Sequence, residues 1–346
     1  MYLTEKEIMS QTEALKKTSS YFEKNREKIS DFFTETGREK FVFMGCGSSF
    51  MLCKSLEHIF AVKKDVKAVS ITGGEFLVNP DLYRMSVEGA VVVILSRSGM
   101  TTEIVRAAQY IRDNYHAKIM SVTMKEDSTL VSISDFSIVL PWAYDESVCQ
   151  TRTVTTLYTG MLFVFSTCFS QHNMYKDIIH MIDREQELLE KTRPVAHEIA
   201  LKEFSDVIVL ADGPLCGIAE EGALAFTEIA MISGKYFRVL DYRHGPMVLN
   251  NKNTLTIIMT QDENKTYQRD MIEDLKRNKG TIVAVDCHTS NQYDADFHIC
   301  IGKDVDFAVY GIGLISICQL IALEKALLRG VNPDKPKGLD AYITLK

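Results

Sequence analysis

Short apolar runs alternate with helical stretches along almost the whole chain. Residues 90–95 are apolar without interruption, the pattern of a strand covered on both faces. Residues 104–111 then set Ile104, Ala107, Ala108 and Ile111 at i, i+3, i+4 and i+7, the stripe of a helix with one buried side. The same reading predicts strands over residues 40–44, 66–71, 118–123 and 136–140, and an apolar helix beginning near Val154. Residues 4–37 read as one or two helices, with Ile8, Leu15, Tyr21, Phe22, Ile29, Phe32 and Phe33 on their apolar face. Residues 174–203 are rich in Lys and Glu and carry the stripe Ile178, Ile179, Ile182, Leu188, Leu189, which predicts a linking pair of helices.

The second half repeats this order. Residues 206–214 answer the first strand and its turn, and residues 217–232 the helix after it. Strands over 236–240, 255–259, 281–285 and 297–301 and a closing helix over 307–329 complete the match. The offset stays near 160 residues, an ordinary domain length. The fold class is therefore α/β, with two tandem, doubly wound parallel-sheet domains related by duplication and an N-terminal helical segment. The expected organisation is a helical segment over 1–37, a first domain over 38–172, linking helices over 173–203, a second domain over 204–330 and a tail over 331–346.

Composition narrows the function classes. The chain has 346 residues, 46% hydrophobic and 25% charged, with a net charge of −7. Such a balance argues against nucleic acid or an anionic membrane as partner. The most apolar window, 154–169, is short for a membrane span and holds several Thr and Ser, so a buried core helix is expected. The polar start of the chain predicts no signal peptide, and the eight scattered cysteines, with no C-x-x-C, read as reduced and buried. These features predict a cytoplasmic protein. The histidines form no H-x-x-x-H pair, so no metal site is expected from spacing.

The first candidate chemistry lies between the strand at 90–95 and the helix after it. Ser96-Arg97-Ser98-Gly99-Met100-Thr101-Thr102-Glu103 is a hydroxyl-rich turn that opens a helix. Backbone amides, hydroxyls and the helix dipole there suit a phosphate, and the absence of a P-loop lysine favours a small phosphate ester over a nucleotide. Gly47-Ser48-Ser49 forms a similar turn after the strand at 40–44. Both turns fall at the carboxyl ends of strands, where such sheets bind ligands. The alternative is a pair of Ser/Thr caps with no ligand.

The second half has Thr260-Gln261-Asp262-Glu263 in place of the hydroxyl turn, and these acids would repel phosphate. It offers Glu228 instead, in an apolar helical run, where a half-buried carboxylate could serve as a base. The alternative is an exposed Glu on the polar face with Glu220 and Glu221. It also offers His244 in Arg243-His244-Gly245-Pro246, a turn suited either to proton transfer or to simple capping. Together Glu228 and His244 suggest moving a proton between carbon and oxygen atoms of a sugar.

With Gly45-Cys46-Gly47-Ser48-Ser49, Ser96-x-Ser98-Gly99-x-Thr101 and Arg243-His244-Gly245-Pro246 on a duplicated frame, the chain resembles the sugar isomerase (SIS) family from about residue 30 onward. It is similar to the tandem-domain members: the isomerase half of glucosamine-6-phosphate synthase, galactosamine-6-phosphate deaminase/isomerases and deglycases of phosphorylated Amadori compounds. The resemblance implies that Gly47, Ser48, Ser49, Ser96, Ser98 and Thr101 hold the substrate phosphate and that Gln150 and Thr151 meet the sugar hydroxyls. It implies that Glu228 shuttles the proton between C1 and C2 through an enediol or enamine. His244 would assist ring opening from a neighbouring subunit, hence a homodimer or higher oligomer with shared sites. It implies no metal and no organic cofactor.

The implied activity is isomerisation or deamination of an amino-sugar phosphate such as a hexosamine 6-phosphate. Alternatives are a deglycase for phosphorylated sugar–amino-acid adducts and a non-catalytic sugar-phosphate sensor. The N-terminal 37 residues are few and not basic, which disfavours a DNA-binding sensor. Three departures from the synthase stand out. Ala225 occupies the place of a lysine three residues before the catalytic Glu, and Lys335 and Lys337 do not align with its tail lysine. Tyr2 stands where the glutaminase nucleophile would be, so no use of glutamine is expected.

Overall fold

The computed structural model describes residues 1–261 and 265–340. The chain begins with α1 (Leu3–Met9), α2 (Gln11–Lys24) and α3 (Arg26–Thr36). There follow β1 (Lys40–Gly45), α4 (Ser48–Lys64), β2 (Lys67–Thr72), α5 (Gly73–Val78), α6 (Arg84–Val87) and β3 (Val91–Ser96). Next come α7 (Thr102–Asn114), β4 (Lys118–Thr123), α8 (Thr129–Ile133), β5 (Phe136–Val139), α9 (Arg152–Cys168) and α10 (His172–Ala200). The remainder is β6 (Asp206–Leu210), α11 (Cys216–Ile229), β7 (Ser233–Phe237), β8 (Thr254–Met259), α12 (Lys265–Arg277), β9 (Thr281–Asp286), β10 (Phe297–Cys300) and α13 (Tyr310–Leu328). These elements form two compact units, one built on residues 10–179 with Asp340 and the other on residues 1–9 and 180–339.

In the first unit five parallel strands run in the order β2-β1-β3-β4-β5. Side chains alternate between the faces of the sheet. Val42, Met44, Val92 and Ile94 bury against the predicted α7 stripe of Ile104, Ala107, Ala108 and Ile111. Phe41 and Phe43 point the other way, into an aromatic core. There Phe41 and Phe43 each meet Phe60 at 4.8 Å, Phe60 meets Phe165 at 5.0 Å, and Phe22 stacks on Phe163 at 5.1 Å. Every residue of α9 after Arg152 is buried, so the apolar window is a core helix as expected.

The second unit repeats the arrangement. Its order, β10-β9-β8-β6-β7, is the first order read from the opposite edge, and it too is wholly parallel. Ile208, Leu210, Ile258, Ile282 and Ala284 bury against Met271, Ile272 and Leu275 of α12. On the other face α11 and α13 pack so closely that a Cβ at Gly222 would lie 2.7 Å from Cys318 Sγ. Helix α13 is long and apolar enough to cross a membrane, yet 89% of that window is buried within the unit. The Asp334 carboxylate accepts the Leu3 and Thr4 amides at 2.9 and 2.8 Å and so caps α1.

Three local expectations change. The N-terminal helical stretch is three helices, broken near Ser10 and Asn25. The linking pair over 174–203 is one 29-residue helix, α10, which carries Pro194 inside it. The strand expected over 236–240 lies at Ser233–Phe237, because its pairing runs from Asp206↔Ser233 to Leu210↔Phe237. It is an edge strand whose half-exposed Ser-Gly-Lys start carries no apolar signal.

Candidate active site

The first sheet changes direction between β1 and β3, which are direct neighbours. In open α/β sheets the crevice at that switch point, beyond the carboxyl ends of the strands, is where ligands bind. Both hydroxyl turns stand there. Helix α4 starts at Ser48 after Gly47, whose φ of 54° and ψ of −131° turn the chain sharply. Helix α7 starts at Thr102 with Thr101 as its N-cap. Gly47 has no side chain and that of Thr101 makes no cap bond to α7, so neither N-cap residue takes an amide of these first turns.

Between the turns lies a cavity lined by Cys46, Ser49, Ser96, Ser98, Thr101 and Gln150, with about 30 Å³ open inside. One water requires roughly 10–15 Å³ on this measure. The space therefore suits a compact anion and not a whole hexose, whose body would extend out of the mouth. Ser96 Oγ accepts the Gly99 amide and Ser98 Oγ accepts the Met100 amide, each at 3.1 Å. Each hydroxyl is thus engaged as an acceptor, which leaves its own O–H to donate to a ligand oxygen. Gly99 has φ +59°, and a Cβ there would fall 2.3 Å from Ser128 Oγ. Only glycine lets the turn close over the α8 N-terminus. Ser48 and Thr151 are buried beside these elements without lining the cavity. Gln150 lines it, and its buried Oε1 has no hydrogen-bond partner.

Two residues that hold this site carried no expectation from the sequence. Arg97, the unassigned position within the hydroxyl turn, is buried and lines the cavity. Its guanidinium donates to the carbonyls of Asp145, Ser147 and Val148 at 3.3, 2.8 and 3.3 Å. Asp145, wholly buried, accepts the Thr151 and Thr153 amides, both at 2.8 Å. The loop bearing Gln150 is therefore gripped at its carbonyls by a cation and at its amides by an anion. The sequence signal was a charge in each place, Arg97 among hydroxyls and Asp145, beside Glu146, ahead of an apolar helix. Burial, helped by the nearby Glu103 carboxylate, pushes the Cys46 thiol up to about 11. It stays neutral near pH 7 and serves as wall, not as nucleophile. Cys46, Cys287 and Cys300 are half-buried and the other five cysteines buried, all as free thiols.

Glu228 and His244 belong to the second unit. Glu228 is half-buried near the end of α11, one turn beyond the buried Ala225. His244 is exposed, just past a short 3₁₀ turn at Asp241–Arg243, and its amide bonds to the Asp241 carbonyl at 2.9 Å. Gly245 follows at φ 118°, and Arg243 Nε pairs with Asp274 at 2.6 Å. The corresponding acidic turn begins with Thr260, whose hydroxyl lies 3.4 Å from Asp286. Asp262 and Glu263 fall outside the described residues.

The SIS domain family model matches residues 36–166, the span that holds both hydroxyl turns and the Gln150 loop. The chain carries a SIS domain. Among curated relatives of this chain is a glutamine–fructose-6-phosphate aminotransferase (isomerizing) from Sulfurisphaera tokodaii. It is 26% identical over 350 residues, covering 99% of this chain and 56% of that one. The chain thus spans little more than half the length of such aminotransferases. A D-galactosamine-6-phosphate deaminase from a Shewanella species is 23% identical over 357 residues, covering 97% and 88%. The chain also superposes on a glucosamine-6-phosphate deaminase from Thermotoga maritima, with a TM-score of 0.83 and 25% identity over 99% of this chain and all of that one.

Proposed function

We propose that this protein is a cytoplasmic phosphosugar isomerase or deaminase acting on an amino-sugar phosphate of the hexosamine 6-phosphate class. The observation that carries the reading is the convergence of Ser49, Ser96, Ser98 and Thr101 on one anion-sized cavity at a sheet switch point. In this reading the phosphate enters the cavity, Gly47 and Ser48 shape the α4 turn beside it, and Gln150 and Thr151 address the sugar hydroxyls at the mouth. The relatives named for work on fructose 6-phosphate and hexosamine 6-phosphates support the same substrate class.

Glu228 is the base. It takes the proton from C2 of the open-chain aldose as the C1 carbonyl becomes an enol. Return of a proton to C1 leaves a C2 imine, and water then releases ammonia and the ketose phosphate. Without loss of ammonia, the same proton shuttle performs aldose–ketose exchange. The proton never leaves the carboxyl group's reach, so the step calls on no metal and no organic cofactor. His244 assists opening of the sugar ring from a second copy of the chain. Its exposed loop displays Leu240, Val248 and Leu249 to solvent, an apolar surface fitting a homodimer or higher homo-oligomer.

The test is Glu228→Gln assayed with glucosamine 6-phosphate and galactosamine 6-phosphate. Ammonia release and ketose formation should vanish while both phosphates still bind in a calorimetric titration. Turnover that survives removes Glu228 from its role. Binding by the parent protein with no turnover on either sugar, on fructose 6-phosphate or on fructoselysine 6-phosphate would make the protein a sensor.

A further inference from the structure

The two units differ where a helix crosses the outer strand of each sheet. In the first unit β5 is that strand, and aromatic side chains fill the crossing. Phe32 of α3 stacks on Phe136 at 5.0 Å. Trp142, three residues beyond β5, lies 5.9 Å from Tyr21 and donates its indole N–H to Thr18 at 2.9 Å. In the second unit α10 occupies the place before β6 that α2 and α3 occupy before β1. Three residues beyond β10 the chain has Lys303, preceded by Gly302. Among the described residues no Phe, Tyr or Trp lines the gap, and a cavity of about 400 Å³ remains between α10 and β10. That volume lies in the range of small-molecule sites.

The walls have a definite chemistry. Leu188, Val195, Ile299 and Ile301 give an apolar lining. Arg184 and Lys191 stand on the same face of α10, two turns apart, with Glu187 between them at 3.4 and 2.5 Å. At the mouth two cations thus flank a single carboxylate. Thr192, buried in the wall, has a hydroxyl with no hydrogen-bond partner. His298 gives its Nε2 to Asp286 at 2.9 Å, which fixes the ring against the cavity and leaves Nδ1 as its remaining polar atom. An apolar chamber with a cationic mouth and an unsatisfied hydroxyl is built for an amphiphilic anion.

We propose that this cavity is a second ligand site, separate from the hydroxyl turns, for a small molecule with one anionic group on an apolar body. The group is a phosphate monoester or a carboxylate. It displaces Glu187 from Arg184 and Lys191, while the body covers Leu188 and Ile301. The site lies wholly within the second unit, so its ligand does not compete for the phosphate cavity of the first.

Titration calorimetry on the full chain tests this with two probes, phenyl phosphate and benzoate. At least one should bind one-to-one with a dissociation constant below about 1 mM, the threshold of ordinary weak binding. Arg184→Gln with Lys191→Gln, both on partly exposed side chains, should weaken it at least tenfold, and Val195→Phe should do the same by filling the chamber. Ser96→Ala with Ser98→Ala should leave it unchanged, because those hydroxyls belong to the other site. Binding of phenyl phosphate alone assigns the site to phosphate esters, and of benzoate alone to carboxylates. The proposal is overturned if neither probe binds by 10 mM. It is equally overturned if binding survives both cavity variants, or is lost in the serine variant and retained in them. Since one cavity variant alters charge and the other shape, failure of either to fold leaves the other as the test.

Discussion

The carboxyl ends of the two sheets are topologically the same place with opposite chemistry. After β1 the chain runs Gly47-Ser48-Ser49 directly into α4, and from the end of β3 it offers Ser96, Ser98 and Thr101. After β6 it runs Asp212-Gly213-Pro214 through a 3₁₀ turn into α11. Pro214 has no amide to give, and Asp212 supplies a carboxylate that accepts the Val239 amide at 3.2 Å. Burial raises that carboxyl above its usual range, against the pull of the Val239 bond and Arg238. After β8 the Thr260 hydroxyl faces Asp286. One frame thus presents donors at one sheet and acceptors at the other. Strand order positions a site, and a few residues at the strand ends decide what it takes.

The sharpest way to break the contrast is Gly99→Val. Its side chain would strike Ser128 from a left-handed backbone, so the hydroxyl turn should open. Affinity for glucosamine 6-phosphate should fall about 100-fold or more, as expected when several charge-assisted bonds are lost together; a calorimetric titration reads it. Arg97→Met probes the same end one layer back. The carbonyls of residues 145, 147 and 148 would lose their cation and Gln150 its anchored loop. KM should rise roughly 10- to 100-fold, the value of one or two hydrogen bonds to a charged group, with a smaller change in kcat. An unchanged KM would separate the loop from substrate binding.

In the second unit Glu185 of α10 is buried and bonded to Ser316 at 2.5 Å. Burial pushes its carboxyl up to about 7, partly offset by the Ser316 bond. A raised folded value means the folded state holds a proton that the unfolded state releases between about pH 4.5 and 7. Stability from this group is therefore present below pH 4.5 and lost as pH rises through 7. Glu185→Gln should remove that loss and stabilise the unit at pH 8 by up to about 3 kcal/mol, with little gain at pH 4. Urea denaturation at the two pH values reads the difference, and equal gains would refute the assignment. The smallest effect is expected from Trp142→Ala, which would give the first unit the kind of gap that α10 and β10 leave in the second. For a half-buried Trp the cost should be about 2 kcal/mol, read as a lower thermal midpoint with phosphate binding retained.

The sequence carried the repeated strand–helix order because buried parallel strands are apolar on both faces and amphipathic helices bury one stripe. β3 and α7 are legible for that reason. β7 is not, since an edge strand with a Ser-Gly-Lys start is held by pairing and not by burial. The serines and threonines that line the first cavity were legible because helix N-termini need such residues. Arg97 and Asp145 were not, because their roles depend on burial and on partners some 50 residues away for Arg97, which local spacing does not encode. The gap beside β10 was hidden for a related reason: it comes from an aromatic that is absent, and only comparison with Trp142 in the folded repeat exposes it.

The Asp334 cap on α1 bears on how the chain is made. It joins residues some 330 positions apart within a unit assembled from residues 1–9 and 180–339. The unit of residues 10–179 also takes in Asp340, and domains fold as units. The other must hold its first helix unsatisfied until residue 334 has been added. The part bearing Glu228 and His244 therefore waits on contacts between residues far apart in sequence.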